Sequence, residues 1–263
     1  MLLCGRSKSG TLLFALVILP CGAADELPGL SHVREVNLER AVKLPNFVAD
    51  EIALRYQKGK KDTDWRVFDR IESEIAVRGK DGFTRQNVRL NGQPWVDKNG
   101  GDKPFPNWNF GVAFGDELSA LFDPKCPTVI EFEKQEQWNG KPALAYRFNS
   151  RPDGCFGYWE VNRNGIFSRT KRYNPARRGR FLVDDKANLV RFEMEAINFP
   201  KDFGNDTWTE AATYDYVKIG DESYLLPVAF DTEIGSSTGE LFTAHVEYRN
   251  HRHFEASTNV QFK

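Results

Sequence analysis

The chain is short of the residues that usually announce chemistry. Of 263 residues, four are cysteine, four histidine and two methionine. Charge of one sign is lacking too: 36 bases face 37 acids, for a net charge of −1. That balance leaves no global field to gather nucleic acid or steer a charged substrate. No segment interleaves bases with stacking aromatics in a way that would read bases, so nucleic acid is not an expected partner. There is no phosphate-cradling glycine loop, no acid pair and no credible nucleophile. There is also no linker, internal repeat or low-complexity tract to divide the chain.

The one markedly apolar run is residues 11–19, and it is too short to span a bilayer as a helix. Arg6 and Lys8 precede it, and Gly22, Ala23 and Ala24 follow it. This is the layout of a secretory signal over residues 1–24, cut before Asp25. Cys21 offers a rival reading as a lipid-anchor site, although Pro20 stands where a small residue is wanted. The mature chain, residues 25–263, is expected to be one domain with no transmembrane span. It keeps two cysteines, Cys126 and Cys155. An exported chain with an even cysteine count is expected to pair them; two half-buried free thiols are the alternative.

What the chain has in plenty is two-residue alternation and aromatic bulk, with 20 Phe, 8 Tyr and 6 Trp. One helix is expected at the start of the mature chain, capped by Ser31, carried by Val33, Val36, Ala41 and Leu44, and stopped by Pro45. A second, short one is expected over residues 115–122. Nearly everything else reads as strand, at 63–77, 83–90, 129–138, 141–148, 155–161, 166–173, 180–183, 189–197, 207–219, 228–234, 241–249 and 258–262. Short connections favour antiparallel neighbours. Ile71, Ile75 and Val77 are expected beside Thr84, Val88 and Leu90. At Asn139-Gly140, a three-residue loop with a bulge brings Ile130 and Phe132 onto the face of Leu144, Tyr146 and Phe148. Residues 96–114 form the longest irregular stretch and hold Phe105, Trp108, Phe110 and Phe114; a loop of that kind is often a lid.

Three constellations invite chemistry. Gly235-Ser236-Ser237-Thr238-Gly239 matches G-x-S-x-G, but a nucleophile elbow needs a helix after it, and here strands flank it. His245, Glu247, His251 and His253 would share one face of an unbroken strand. That face is opposite the apolar set Phe242, Ala244, Val246 and Tyr248, so it reads as wet, and no metal is expected. Arg169, Lys171, Arg172, Arg177, Arg178 and Arg180 crowd an expected hairpin tip, either as a guard against edge pairing or as a contact for anionic headgroups or an acidic partner.

"FLVDDKANLVRFEMEA" (181–196) and "YDYVKIGDESYLLPVAF" (214–230) resemble consecutive hairpins of the LolA-like periplasmic lipoprotein carriers and the RseB-type regulators. "LPNFVADEIALRY" (44–56), "FGDELSALFDP" (114–124) and "VEYRNHRHFEASTNVQF" (246–262) resemble a group of uncharacterised exported bacterial proteins. The superfamily turn often carries Thr-Gly after its Asp, where this chain has Asp185-Lys186. The resemblance implies a mainly β half-barrel: a curved antiparallel sheet of about eleven strands around the N-terminal helix and the short helix. In that sheet Leu225 and Leu226 cap the core and Pro227 opens a strand. It implies a non-enzymatic, cofactor-free binding protein for a lipid, a lipoprotein acyl chain or another apolar ligand. The alternative it carries is an envelope protein-interaction or sensing module with a filled core. The candidate ligand-lining residues are Phe192, Met194, Phe230, Phe242, Val246 and Tyr248, with Phe105 and Trp108 in the cover.

Overall fold

The computed structural model describes residues 29–78, 82–96, 116–152, 154–157, 159–162, 170–200 and 203–253. The leader, residues 97–115 with Phe105 and Trp108, Arg169 and the expected strand at 258–262 lie outside them. Helix α1 (Leu30–Val42) comes first, then β1 (Asn46–Lys58), β2 (Arg66–Arg78), β3 (Phe83–Leu90) and β4 (Gln93–Pro94). Helix α2 (Asp116–Phe122) precedes β5 (Thr128–Trp138), β6 (Lys141–Ser150), β7 (Trp159–Asn162) and β8 (Thr170–Tyr173). The chain continues with β9 (Ala176–Val183), β10 (Leu189–Ile197), β11 (Asn205–Ile219), β12 (Glu222–Ser236) and β13 (Leu241–His253).

The main sheet has 11 strands in the order β4-β3-β2-β1-β13-β12-β11-β10-β9-β6-β5, and β7 pairs with β8 separately. The eleven strands pair antiparallel throughout. The sheet is open, since β4 and β5 do not meet. This is the expected fold class: mainly β, with an N-terminal and a short helix against the sheet. Strand β1 was not expected. Its inward positions are Phe47, Ala49, Glu51, Ala53 and Arg55, so two charges interrupt the apolar signal of a strand that lies inside the sheet.

One cluster of buried side chains joins the sheet's inner face to Val33 of α1 and to Leu118, Leu121 and Phe122 of α2. Helix α1 starts at Leu30 with Gly29 as its cap, and no side chain caps it; Ser31 is the second helical residue. The helix is held from its middle. Asn37 is fully buried; its amide nitrogen donates to the Val33 and Ala187 carbonyls, each at 2.8 Å. The Leu189 N–H donates back to Asn37 Oδ1 at 3.0 Å. Thus α1 is stapled to the β9–β10 turn, with Arg40 lying 5.0 Å over the Tyr214 ring. The expected disulfide is present: Cys126 and Cys155 are bonded, 29 residues apart. It ties the start of β5 to the segment after β6, worth about 3–4 kcal/mol on the chain-entropy estimate.

Four expectations about register change. The turn at Asn139-Gly140 has two residues, both left-handed (φ 49° and 75°), between the paired Trp138 and Lys141. The faces come into phase instead at Glu133, an extra residue in β5 between the pairs Phe132↔Tyr146 and Lys134↔Ala145. In β3 a shift at Asn87 (φ 54°) puts Arg85, rather than Thr84, opposite Ile75 on the core side, while Leu90 meets Ile71. In β13 a shift at Asn250 (φ 53°) turns His251 onto the core side, where its ring lies 5.5 Å from that of Phe47. His251 and His245 therefore do not share a face, and no group of metal ligands forms among the described residues. Finally, Pro227 does not open its strand. It sits inside β12 beside the extra residue Val228, where a missing N–H is tolerated; Leu225 and Leu226 are buried as expected.

Gly179 is required by close approach. A Cβ there would stand 2.1 Å from the Glu193 carbonyl and 2.6 Å from the Phe148 ring. Gly179→Ala is expected to destabilise the fold by about 1–3 kcal/mol, read as a lowered denaturant midpoint. An unchanged midpoint would show that the β6–β9–β10 seam is looser than described.

Candidate ligand-binding face

Pairing and alternation sort every strand into inner and outer positions. One inner row crosses the sheet as Tyr146, Phe181, Phe192, Ala212, Phe230, Val246, Ala53, Ile71 and Leu90. It is apolar from end to end, and Phe122 of α2 meets it edge-on at Phe181, with ring centroids 5.3 Å apart. Of the candidate lining residues, Phe192, Met194, Phe230, Val246 and Tyr248 all lie in the buried cluster. Phe242 is half-buried and stands outside that cluster, at the end of the sheet away from the α1 staple.

At that end the inner positions are Ala196, Trp208, Ile234, Phe242 and Gln57. Trp208, Ile234 and Phe242 are half-buried. A cleft of about 140 Å³ opens there between Gln57, Lys58, Asp62, Arg66, Glu240 and Phe242. We call this end the mouth. One step inward, Glu210 lies between Met194 and Thr232, and Trp208 Nε1 donates to its Oε1 at 2.9 Å. Burial pushes the Glu210 carboxyl up to about 6, against the Trp208 hydrogen bond and the charge of Arg177, which act downward.

The inner face also carries two ion pairs that no apolar pattern announces. Glu51 is 1% exposed. It accepts Ser73 Oγ at 2.6 Å, Arg85 Nε at 2.5 Å and Arg85 Nη2 at 2.8 Å, and the Tyr248 hydroxyl approaches at 3.4 Å. Burial, then the charge of Glu51, pushes the Tyr248 phenol well above its ordinary range. Toward the mouth, Arg55 grips Asp69 with two hydrogen bonds, and its guanidinium lies 5.1 Å over the Phe68 ring. Such pairs are costly to break because the surviving charge stays buried.

The outer face is different. Arg147, Arg178, Arg180, Glu193, Glu195, Asp231 and Glu233 project from it around the small residues Thr209, Ala211 and Thr243, and a groove of about 720 Å³ runs between them. The basic cluster is therefore not a hairpin tip. Arg177 points inward and is buried, donating to Asn174 Oδ1 at 2.8 Å and to the Gly157 carbonyl at 2.6 Å. Arg178 pairs with Glu195, and Arg180 with Glu133 and Glu136. Hydrogen bonds from Arg147 and Arg180 hold the Glu133 carboxyl down at about 2. The side chains of Lys171 and Arg172 are outside the described set. His245 binds Asp231 at 2.6 Å. Burial of the ring acts downward on its pKa, and the Asp231 and Glu247 carboxylates outweigh it, so the net shift is upward. The Gly235–Gly239 motif is a turn between β12 and β13, as expected.

No family model matches the chain, and no curated protein sequence does. Several solved structures are similar to it, each at 10% identity. A LolA superfamily protein from Nitrosomonas europaea gives a TM-score of 0.35, covering 88% of this chain and 97% of its own. A putative outer membrane lipoprotein-sorting protein domain from Vibrio parahaemolyticus gives 0.40, covering 87% and 94%. A DUF1329 family protein from Desulfovibrio piger gives 0.36, covering 89% and 95%. The first two bear the names of the carriers that the hairpin sequences resemble.

Two outcomes follow from the inner face. Arg85→Met leaves Glu51 buried without its cation and is expected to cost about 3–5 kcal/mol, while Glu51→Leu with Arg85→Met recovers most of that. Additive losses in a double-mutant cycle would contradict the pairing. For Glu210, the folded-state pKa lies above the ordinary 4.5. The folded form therefore holds this proton more tightly, and stability is lost as pH rises from about 4.5 to about 6. Glu210→Gln is expected to match the parent in acid melts and to exceed it by about 1 kcal/mol at neutral pH, a figure discounted for partial exposure. A constant difference across pH would refute the shift.

Proposed function

We propose that this chain is an exported, non-enzymatic binding protein that takes a lipid, a lipoprotein acyl chain or a similar apolar ligand against the inner face of the half-barrel. The observation that carries this reading is the mouth. Its inner positions, Trp208, Ile234 and Phe242, are half-buried and stand outside the core cluster; the next row inward is Met194, Glu210, Thr232, Ala244 and Arg55, and the apolar row through Phe192 and Phe230 lies one step beyond it. An acyl chain entering there would pass Met194 and Ala244 to reach the apolar row, with burial contributing about 0.8 kcal/mol per methylene. Phe105 and Trp108 remain the proposed cover. The sheet is open, and its inner face is covered by side chains of two helices rather than by a completed barrel. Export after cleavage near Ala24, into the periplasm or outside the cell, fits the Cys126–Cys155 disulfide.

A second reading is favoured by the outer groove, whose walls carry both signs of charge. On it the chain is an envelope interaction module and the core stays filled.

A fluorescent fatty-acyl probe separates the two. Saturable binding is expected, and Phe242→Glu is expected to weaken it at least about tenfold by placing a charge in an apolar path. The thermal midpoint should hold, since Phe242 is only half-buried. No probe binding by a folded protein would leave the interaction module as the account.

A further inference from the structure

The β1–β2 hairpin departs from the rest of the surface. From Lys60 to Phe68 every residue except Asp62 is exposed. The run contains Trp65 at 39% exposure, Val67 at 68% and Phe68 at 49%. Three large apolar side chains within four positions, turned to solvent at a hairpin end, are costly to leave in water. They are not a failed core. A register shift between β1 and β2 makes Phe68 the extra residue, its ring under the Arg55 guanidinium, and sends Val67 to the outer side, beside Tyr56, so the end of the hairpin presents apolar groups on both faces of the sheet.

The same hairpin is basic. Lys58, Lys60, Lys61 and Arg66 face only Asp62 and Asp64 across residues 58–66, in a chain whose net charge is −1. Asp62 is spent on the turn itself: its carboxylate accepts the Gly59 N–H at 3.2 Å and the Arg66 guanidinium at 3.1 Å. The tip is also braced. The stem of Lys60 lies against the β12–β13 turn at Gly239, where an added Cβ would come within 3.0 Å of it.

We propose that this hairpin docks the protein on an anionic lipid bilayer. Trp65, Val67 and Phe68 would enter the headgroup boundary, where an indole with one wet and one greasy side is at home. Lys58, Lys60 and Lys61 would meet the anionic headgroups. A protein partner would need acidic and apolar groups set to match; a bilayer surface offers both across its whole area. The hairpin tip lies at the mouth end of the sheet, since Gln57 pairs with Phe242, so docking would bring the mouth to the membrane. The inference stands on the hairpin alone and does not require the acyl-binding reading.

The test is co-sedimentation of the full mature chain with vesicles of phosphatidylethanolamine and phosphatidylglycerol, with phosphatidylcholine vesicles as the uncharged control. Binding to the anionic vesicles is expected, falling as salt is raised. Lys60→Ala with Lys61→Ala should weaken it roughly 25-fold, at about 1 kcal/mol per charge. Trp65→Ser with Val67→Ser, both at exposed positions, should abolish it with the melting midpoint unchanged. Absence of vesicle binding, or binding that both double variants leave intact, overturns the proposal. Because the acyl probe is read without vesicles, failure of one reading is distinguishable from failure of the other.

Discussion

Alternation is the constraint on which the rest of this structure depends. A strand presents successive side chains to opposite faces, so a sheet of eleven strands keeps one apolar inner face only if every strand stays in phase with its neighbours. The chain does not achieve this by uniform pattern. It inserts single extra residues: Phe68 in β2, Asn87 in β3, Glu133 in β5, Val190 in β10, Asp206 in β11, Val228 in β12 and Asn250 in β13. Each insertion resets the phase, bends its strand, and leaves one residue free for another use. Glu133 becomes the anchor for Arg147 and Arg180, and Phe68 reaches the mouth beneath Arg55.

This is also why the sequence was readable in some places and not in others. Between insertions the alternation is plain: Arg191–Ile197 alternates without a break, and the placing of Phe192, Met194 and Phe230 on the inner side is visible in the residues alone. Across an insertion the same reading fails by one position. The two-residue turn at Asn139-Gly140 seemed to need a third residue because the correction lies six residues upstream, at Glu133. His251 and His245 seemed to share a face because nothing marks Asn250 as left-handed beyond its being Asn. Strand β1 was missed for a different reason. Its inward Glu51 and Arg55 look like solvent-facing charges until Arg85 and Asp69, supplied by other strands, are beside them. A pairing of that kind is information about the fold, and no local pattern contains it. Asn37 hides in the same way, as a polar residue in a helix whose partners lie about 150 residues on.

The charges then divide the molecule's surfaces by role. On the inner face they are few, and the Glu51–Arg85 and Arg55–Asp69 pairs, with the Tyr248 hydroxyl beside Glu51, fix how β1, β2, β3 and β13 sit against one another. On the outer face they are many and mutually neutralised. At the mouth they are mixed with exposed aromatics, and there the inner-face side chains Trp208, Ile234 and Phe242 are only half-buried. The functional reading rests on those half-buried apolar side chains at the open end of the inner face. The absence of a catalytic constellation among the described residues plays no part in it.

The most direct measurement is native mass spectrometry of the protein purified gently from the envelope of its own cells. The account predicts a species heavier than the mature polypeptide by the mass of one lipid or acyl ligand, which is lost on activation to leave the bare chain with its disulfide intact. A bare polypeptide mass alone, under conditions that preserve bound lipid on a known carrier, would contradict it.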